Sequence, residues 1–349
     1  MIITRTPLRV SFFGGGTDYP VWYREHGGAV LTTAIDKYCY ITCRRLPPFF
    51  EYRSRISYSK VENVCSNDFI EHPSVRGCLQ FLKIREGVEI HHVADLPART
   101  GLGTSSAFTV GLLLGLYALK DRMRDKHALA QDAIYVEQEL LREAVGAQDQ
   151  VIAAYGGFNH VHFCVDGSID VKPVVAPQSR LAELENHLVL FFTGFTRTAS
   201  EIAKEQLRET PKRKGELGAM LQMVNEAKDI ISNTNRQVSE FGRLLHESWK
   251  LKRSLSSKIT SPQIDEIYEA GLSAGAIGGK LLGAGGGGFM LFFVPPERRE
   301  ALRRRLQNLL SVPFTFSARG SHVVVYEPEA AYDGCQASET MDAQIASCR

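Results

Sequence analysis

Through the first hundred positions apolar residues come in short strand-like runs; beyond that the spacing becomes helical. Leu8–Phe13, Ala29–Ile35 and Tyr38–Arg44 each read as a strand, punctuated by Gly27-Gly28 and Pro47-Pro48. Val88–Val93 is a further strand. It feeds a glycine turn at Gly101 that opens the apolar helix Phe108–Leu119. Over Leu129–Glu143 the positions Leu129, Ala133, Val136, Leu140 and Leu141 share one helical face. Phe158–Val165 and Ile169–Val174 form a hairpin turning at Asp166-Gly167. Leu188–Thr193 is a short strand, and residues 199–275 are mostly helical, broken near Pro211 and Pro262. The chain then alternates again: strand Phe289–Val294, helix Pro296–Leu310, and strands Val312–Ser317 and His322–Glu327.

This order predicts an α+β protein, with helices on one face of a small sheet in its second half. Pro, Gln and Ser interrupt the pattern near Pro173–Ser179, which predicts one domain over 1–178 and a second over 179–328. Residues 329–349 are polar and aperiodic and are expected to be a flexible tail. At 349 residues the chain is long enough for two cores.

Composition removes several function classes. Lys and Arg number 41 against 39 Asp and Glu, a net charge of +2, which gives no electrostatic case for nucleic acid or an anionic membrane. The seven cysteines are scattered without a CxxC pair and read as free thiols in a reducing compartment. No HExxH occurs, and the neighbours His91 and His92 point to opposite faces of a strand, so a structural zinc site is not expected. The N-terminus lacks a signal-like apolar region, and the longest apolar run, Ala107–Leu119, is too short to span a bilayer. The expectation is a cytoplasmic protein. Its oligomeric state is open, a homodimer included.

The chemistry concentrates in four segments. Pro97–Ala107 is a glycine turn followed by Thr104, Ser105 and Ser106 and then a helix. Glycine permits close backbone approach to a ligand, and the first N–H groups of a helix are unpaired and partly positive, so a phosphate suits this point. A glycine-rich turn capping an ordinary core helix is the plainer alternative. Lys280–Phe289 carries five glycines in six positions and formally matches GxGxxG, but the segment before it reads as helix and a strand follows. That order is wrong for a dinucleotide fold. In Thr6–Pro20 a strand bearing Arg9 runs into Gly14-Gly15-Gly16-Thr17-Asp18-Tyr19. Taken alone, such an Arg is more often an edge-strand charge and such an Asp an Asx-turn residue. The fourth segment, Gly146–Gln150, holds Asp149, which could cap a short helix ending at Gly156; Glu137 lies twelve residues earlier.

Taken in order, these four segments resemble the GHMP small-molecule kinases over roughly residues 5–327. The resemblance implies the two-domain GHMP fold, an N-terminal ribosomal-protein-S5-domain-2-like unit and a C-terminal ferredoxin-like α+β unit. It implies ATP and Mg²⁺ as cofactors. Gly101, Leu102, Gly103, Thr104, Ser105 and Ser106 match the family's nucleotide loop, with Gly285 and Gly286 added by the C-terminal glycine loop, which packs on it and closes the site. Ser106 and Glu137 match the metal ligands. Asp149 matches the base and Arg9 the cation beside it. Gly15, Gly16, Thr17 and Asp18 match the sugar-binding turn.

Departures narrow the substrate. Galactokinases carry Gly-Glu-His-Thr-Asp-Tyr where this chain has three glycines, and mevalonate and homoserine kinases lack Thr-Asp-Tyr. Phe12–Pro20, Leu96–Ser106, Gln148–Asn159 and Thr193–Ser200 look most like the branch acting on D-glycero-D-manno-heptose 7-phosphate. That branch phosphorylates the C1 hydroxyl to the 1,7-bisphosphate, in GDP-heptose synthesis for bacterial capsule and lipopolysaccharide. A sugar phosphate needs a cationic pocket. Arg197 is the first candidate, with Lys172, Arg44 and Arg99 behind it. The alternatives are an L-fucokinase or another sugar-1-kinase, and a non-catalytic sugar sensor on the same fold.

Overall fold

The computed structural model describes residues 1–98, 100–195 and 199–328. The chain begins with β1 (Ile2–Phe13), α1 (Pro20–His26), β2 (Gly28–Arg45), β3 (Ser54–Ser57), β4 (Val61–Val64), α2 (Pro73–Phe81) and β5 (Val88–Ala94). Then come α3 (Thr104–Leu119), α4 (Lys126–Tyr135), α5 (Gln148–Tyr155), β6 (Phe158–Phe163) and β7 (Ile169–Pro173). The second half holds α6 (Gln178–His187), β8 (Leu188–Phe192), α7 (Ala199–Glu209), α8 (Lys214–Ser232), α9 (Ser239–Ser254) and α10 (Pro262–Ser273). It closes with β9 (Gly278–Leu281), β10 (Phe289–Phe293), α11 (Arg299–Arg305), β11 (Leu310–Val312) and β12 (His322–Tyr326).

Eight strands form one sheet, ordered β12-β1-β2-β5-β3-β4, with β6 and β7 continuing from β2. Its spine is the antiparallel pair β1–β2. The two strands expected at 29–35 and 38–44 are one continuous strand. Asp36 and Lys37 are absorbed as extra residues where the register shifts between Pro7 and Leu8. Proline cannot donate to a ladder, so an irregularity at this point lets β1 run through Pro7. Helix α3 is apolar on every side because it is buried along its length. It packs on β1 and β2, and Thr4 donates to the Gly111 carbonyl at 3.0 Å. Buried leucines such as Leu112, Leu113 and Leu116 each contribute about 1.5–3 kcal/mol by leaving water.

The second sheet is antiparallel, ordered β11-β8-β10-β9. Counted within the unit this is 4-1-3-2, the ferredoxin-like order, with α7–α10 crossing between its first two strands. The units are not cleanly divided in sequence. β12 falls inside the expected second domain, 179–328, yet pairs with β1 in the first sheet. An aromatic cluster joins the halves: Phe12 meets Phe158, Phe241 and Phe316 at ring-centroid distances of 5.6, 5.3 and 6.2 Å.

Several local expectations change. The segment before the glycine loop is β9, not helix, so that loop joins two antiparallel strands. The helix expected over 129–143 is α4 followed by a π-helical turn, Val136–Leu140, which turns Leu140 out to solvent and Glu137 inward. The strand expected over 312–317 is reduced to β11 and a lone Ile35–Phe316 bridge. Among the described residues no helix is long and apolar enough to cross a membrane. The tail expected at 329–349 lies outside the described residues.

Candidate active site

The site forms where β1, the start of α3 and the start of α5 meet. Arg9 projects from β1 and binds Asp149 through both ends of its guanidinium: Nε donates to Oδ1 and Nη2 to Oδ2, each at 2.7 Å. Its Nη1 donates to the Gly101 carbonyl at 2.5 Å, and its backbone N–H donates to Leu102 O at 3.0 Å. The Arg9 side chain is 6% exposed and that of Asp149 24%, so the carboxylate forms the reachable surface of the pair. Asp149 sits in the first turn of α5 behind Ala147, so it is not the cap; the helix stops at Gly156 as expected. Gly103 caps α3 in the left-handed conformation, φ +74°, directly over the pair. A Cβ there would lie 3.1 Å from Arg9 Cγ and 3.4 Å from Asp149 Cγ.

Thr104–Ser106 open α3, a 16-residue helix whose first N–H groups face the same point. Ser105 is exposed, and the Thr104 hydroxyl is buried without a partner among the described residues. Leu102 is fully buried: its side chain is core, and its carbonyl is taken by Arg9. Ser106 donates to Glu137 Oε2 at 2.8 Å, and Gln150 Nε2 donates to the same oxygen. Glu137 Oε1 has no partner among the described residues. Burial pushes the Glu137 carboxyl up to about 7, the charge of Glu143 adds to this, and the hydrogen bonds from Ser106 and Gln150 oppose it. A buried carboxyl with a free oxygen beside a serine hydroxyl is a hard-oxygen half-site for a cation. It is no complete cage: no three His, Cys, Asp or Glu among the described residues could hold a metal alone. Magnesium fits here if phosphate oxygens complete its shell.

The turn Gly14–Asp18 borders Asp149 from the other side. Asp18 is 2% exposed; its Oδ1 accepts from Gly16 N at 2.9 Å and its Oδ2 from Gln148 N at 3.4 Å. Burial raises its pKa, Gly16's hydrogen bond opposes that, and the charge of Asp149 adds to it. Only glycine at 146 admits this carboxylate, since a Cβ there would lie 1.9 Å from Oδ2. Thr17 does not face the site: its hydroxyl is fully buried and bonds Gly14 O at 2.8 Å and Ala29 O at 2.9 Å, locking the turn. Gly15 does face it, its missing Cβ directed at Gln148 Nε2 (3.8 Å) and Ser11 Oγ (3.9 Å). Ser11 Oγ and Gln148 Oε1 are both buried without partners among the described residues. Neither had been singled out, although Ser11 shares the alternation of Arg9 along β1 and Gln148 neighbours Asp149.

The glycine loop closes over the nucleotide loop through its two ends. Gly283 and Gly288 make the contact: Cβ atoms on them would lie 2.4 Å from Gly101 Cα and 2.3 Å from Thr100 O. Gly285 and Gly286 brace Ile259 instead; the Gly286 N–H donates to Ile259 O at 2.9 Å and is spent. Of the cations weighed for a sugar phosphate, Arg197 and Arg99 lie outside the described residues. Arg44 pairs with Glu89 at 2.7 Å and lies about eight residues from Arg9 as measured along β1, roughly 26 Å away. Lys172 pairs with Asp170 at 2.7 Å at the sheet edge.

Comparison with known proteins follows the same lines. A profile described as GHMP kinases N terminal domain matches residues 73–157, and one described as GHMP kinases C terminal matches residues 228–312. The chain is 30% identical over 300 residues to a D-glycero-alpha-D-manno-heptose 7-phosphate kinase of Campylobacter jejuni, covering 81% of this chain and 86% of that one. It is 26% identical over 306 residues to a bifunctional fucokinase/GDP-fucose pyrophosphorylase of Arabidopsis thaliana, covering 80% of this chain and 28% of that longer protein. Among solved structures, a D-glycero-D-manno-heptose 1-phosphate kinase from Bacteroides thetaiotaomicron superposes with a TM-score of 0.75 at 26% identity, covering 94% of this chain and 100% of that one.

Proposed function

The chain belongs to the GHMP kinases, and on that premise we propose that it transfers the γ-phosphoryl group of ATP to the C1 hydroxyl of D-glycero-D-manno-heptose 7-phosphate, giving the 1,7-bisphosphate. The observation that carries the reading is the convergence of the Arg9–Asp149 pair, the start of α3 and the bare Gly15 backbone on one point. In this reading the phosphates of ATP lie along Gly101–Ser106. Asp149 accepts the proton of the sugar hydroxyl as its oxygen bonds to the γ-phosphorus and the bond to the ADP oxygen breaks. Arg9 holds Asp149 in place and offsets charge on the phosphoryl group. Ser106 and Glu137 would hold Mg²⁺, which when bound neutralises phosphate charge. Phosphoryl transfer needs positioning and charge stabilisation more than covalent catalysis, so this sparse set suffices.

Gly15 supports the larger substrate. A side chain there would fill the space in front of Ser11 and Gln148, where the far end of a seven-carbon sugar needs room. The product is of the kind used to make GDP-heptose for bacterial surface polysaccharides. A coupled ADP-release assay with MgATP tests the reading, comparing the heptose 7-phosphate with L-fucose, galactose and mannose. Turnover with the heptose phosphate alone is expected. Preference for L-fucose would transfer the assignment to the fucokinases, which the 26% identical relative already brings into view.

A further inference from the structure

Two lysines, Lys252 outside the four segments and Lys280 at the leading edge of the glycine-rich one, lie behind the candidate active site. Lys252, on α9, donates from Nζ to the carbonyls of Leu281 at 3.0 Å and Gly283 at 2.5 Å. Lys280, on β9, donates from Nζ to the carbonyl of Phe12 at 2.7 Å. Both residues are buried, at 6% and 3% exposure. An ammonium group carries three N–H donors. One on Lys252 and two on Lys280 therefore remain without an acceptor among the described residues.

The charge balance is equally incomplete. Lys252 faces Arg9 from β1, Asp18 from the substrate turn and Lys280 from β9. Asp149 is engaged by Arg9 through both carboxylate oxygens. That leaves Asp18 facing Lys252, while Lys280 faces the two cations Lys252 and Arg9. Buried charges are ordinarily paired, because an unpaired one forfeits its hydration. The carbonyls that the lysines hold also matter. Phe12 leads into the Gly14–Asp18 turn, and Leu281 and Gly283 open the loop that touches Gly101.

We propose that Lys252 and Lys280 form a buried cation pair that receives a phosphate group of a bound ligand through these spare N–H donors, and so couples ligand arrival to closure of the glycine loop. Burial and the charge of Arg9 hold Lys252 down to about 7, and burial, Lys252 and Arg9 hold Lys280 well below its ordinary value. An arriving anion reverses this, so Lys252 takes up a proton as phosphate binds. The inference deepens the phosphotransfer reading and rests on it for the choice of ligand. The phosphate belongs either to the nucleotide or to the sugar, and the experiment separates them.

The test is calorimetric titration at pH 8 with EDTA, in buffers of different ionisation enthalpy, using ATP, ADP and the heptose 7-phosphate as probes. Without metal, Mg²⁺ binding at Glu137 does not enter. Wild-type protein is expected to take up close to one proton with one class of probe. Uptake with ATP but not ADP marks the γ-phosphate; uptake with the heptose phosphate marks the sugar's own phosphate. K252M should lose the uptake and bind that probe at least ~10-fold more weakly, while K252R should keep the affinity without the uptake. Equal uptake in wild type and K252M with every probe, and affinities within ~2-fold, would reduce the lysines to braces of the loop. Should K252M not fold, wild-type affinities that stay flat from pH 6 to 8.5 for all three probes overturn the proposal alone. Turnover in the ADP-release assay is read separately, so failure of the kinase reading and failure of the lysine pair are distinguishable.

Discussion

Replacing Asp149 by Asn is the sharpest test of the assigned chemistry, because it changes charge and proton affinity while keeping the shape. Asp149 lies beneath Gly103 with both oxygens held by Arg9, so a larger side chain would displace the nucleotide loop and confuse the result. Asn fits the space and keeps one oxygen for the guanidinium. It cannot take the hydroxyl proton. Removal of a general base lowers turnover by about 10²–10⁴-fold. At 1.36 kcal/mol per decade this is about 3–5 kcal/mol of transition-state stabilisation. The structural cost is smaller. One Arg9 donor loses its acceptor in a largely buried place, which costs about 1–3 kcal/mol. In a domain of 150–250 residues this is a fall in Tm of about 2–12 °C. The assay is ADP release at saturating MgATP and sugar phosphate, with nucleotide Kd and Tm measured on the same preparation. We expect kcat to fall by two to four decades, nucleotide affinity to change less than ~3-fold, and the protein to stay folded at 25 °C. A kcat within ~5-fold of wild type would falsify the base assignment. A large loss of nucleotide affinity would instead make the Arg9–Asp149 pair a scaffold for the Gly101–Ser106 loop.

Other substitutions probe the remaining parts. Glu137→Gln removes the charge that Ser106 and Gln150 now face, and should lower kcat/KM for MgATP by about 10²-fold or more with a weaker response to Mg²⁺ concentration. An unchanged Mg²⁺ titration would remove Glu137 from metal binding. Gly283→Ala places a Cβ 2.4 Å from Gly101 Cα at φ +73°, and should raise KM for ATP and destabilise by about 1–3 kcal/mol. Normal KM and Tm would mean that the two loops are not in contact. Acid should destabilise the protein in a defined window. Burial, then His162, Lys228 and Lys172, push His160 down to about 4. The native state thus resists a proton that the unfolded chain accepts below about 6.5, so the stability is complete above pH 6.5 and is lost as pH falls towards 4. The full shift corresponds to at most about 3 kcal/mol. Urea melts at pH 7 and 5 should show the loss, and His160→Gln should reduce it; an identical pH slope in the variant contradicts the assignment.

What could be read in the sequence, and what could not, divides along a physical line. The glycine turn before α3, Arg9, Asp149 and Glu137 were legible because each sits in a run whose residue order is itself constrained. Thr104–Ser106 must open a helix, and a strand ending in Gly14-Gly15-Gly16 must turn. The alternation of β1 even implies that Ser11 shares a face with Arg9. Lys252 and Lys280 gave no such signal. On α9 a lysine every few positions reads as a solvated face, and only the packing of α9 on β9 turns Lys252 inward to the carbonyls of the glycine loop. Lys280 stands in Gly278–Leu281, a run too short and too rich in glycine to show a period, which is also why β9 reads as helix. The errors within the motifs have the same origin. Thr17, Gly285 and Gly286 lie in the right segments, but whether a hydroxyl or an N–H is available depends on what else has taken it. Ala29 and Gly14 take Thr17, and Ile259 takes Gly286. A motif fixes where the backbone must go; hydrogen bonds made to residues outside or across the turn decide which groups on it remain for a ligand. Lys280 and Phe12, 268 residues apart and joined at 2.7 Å, are a long-range case, and they lie behind the turn where the substrate is proposed to bind.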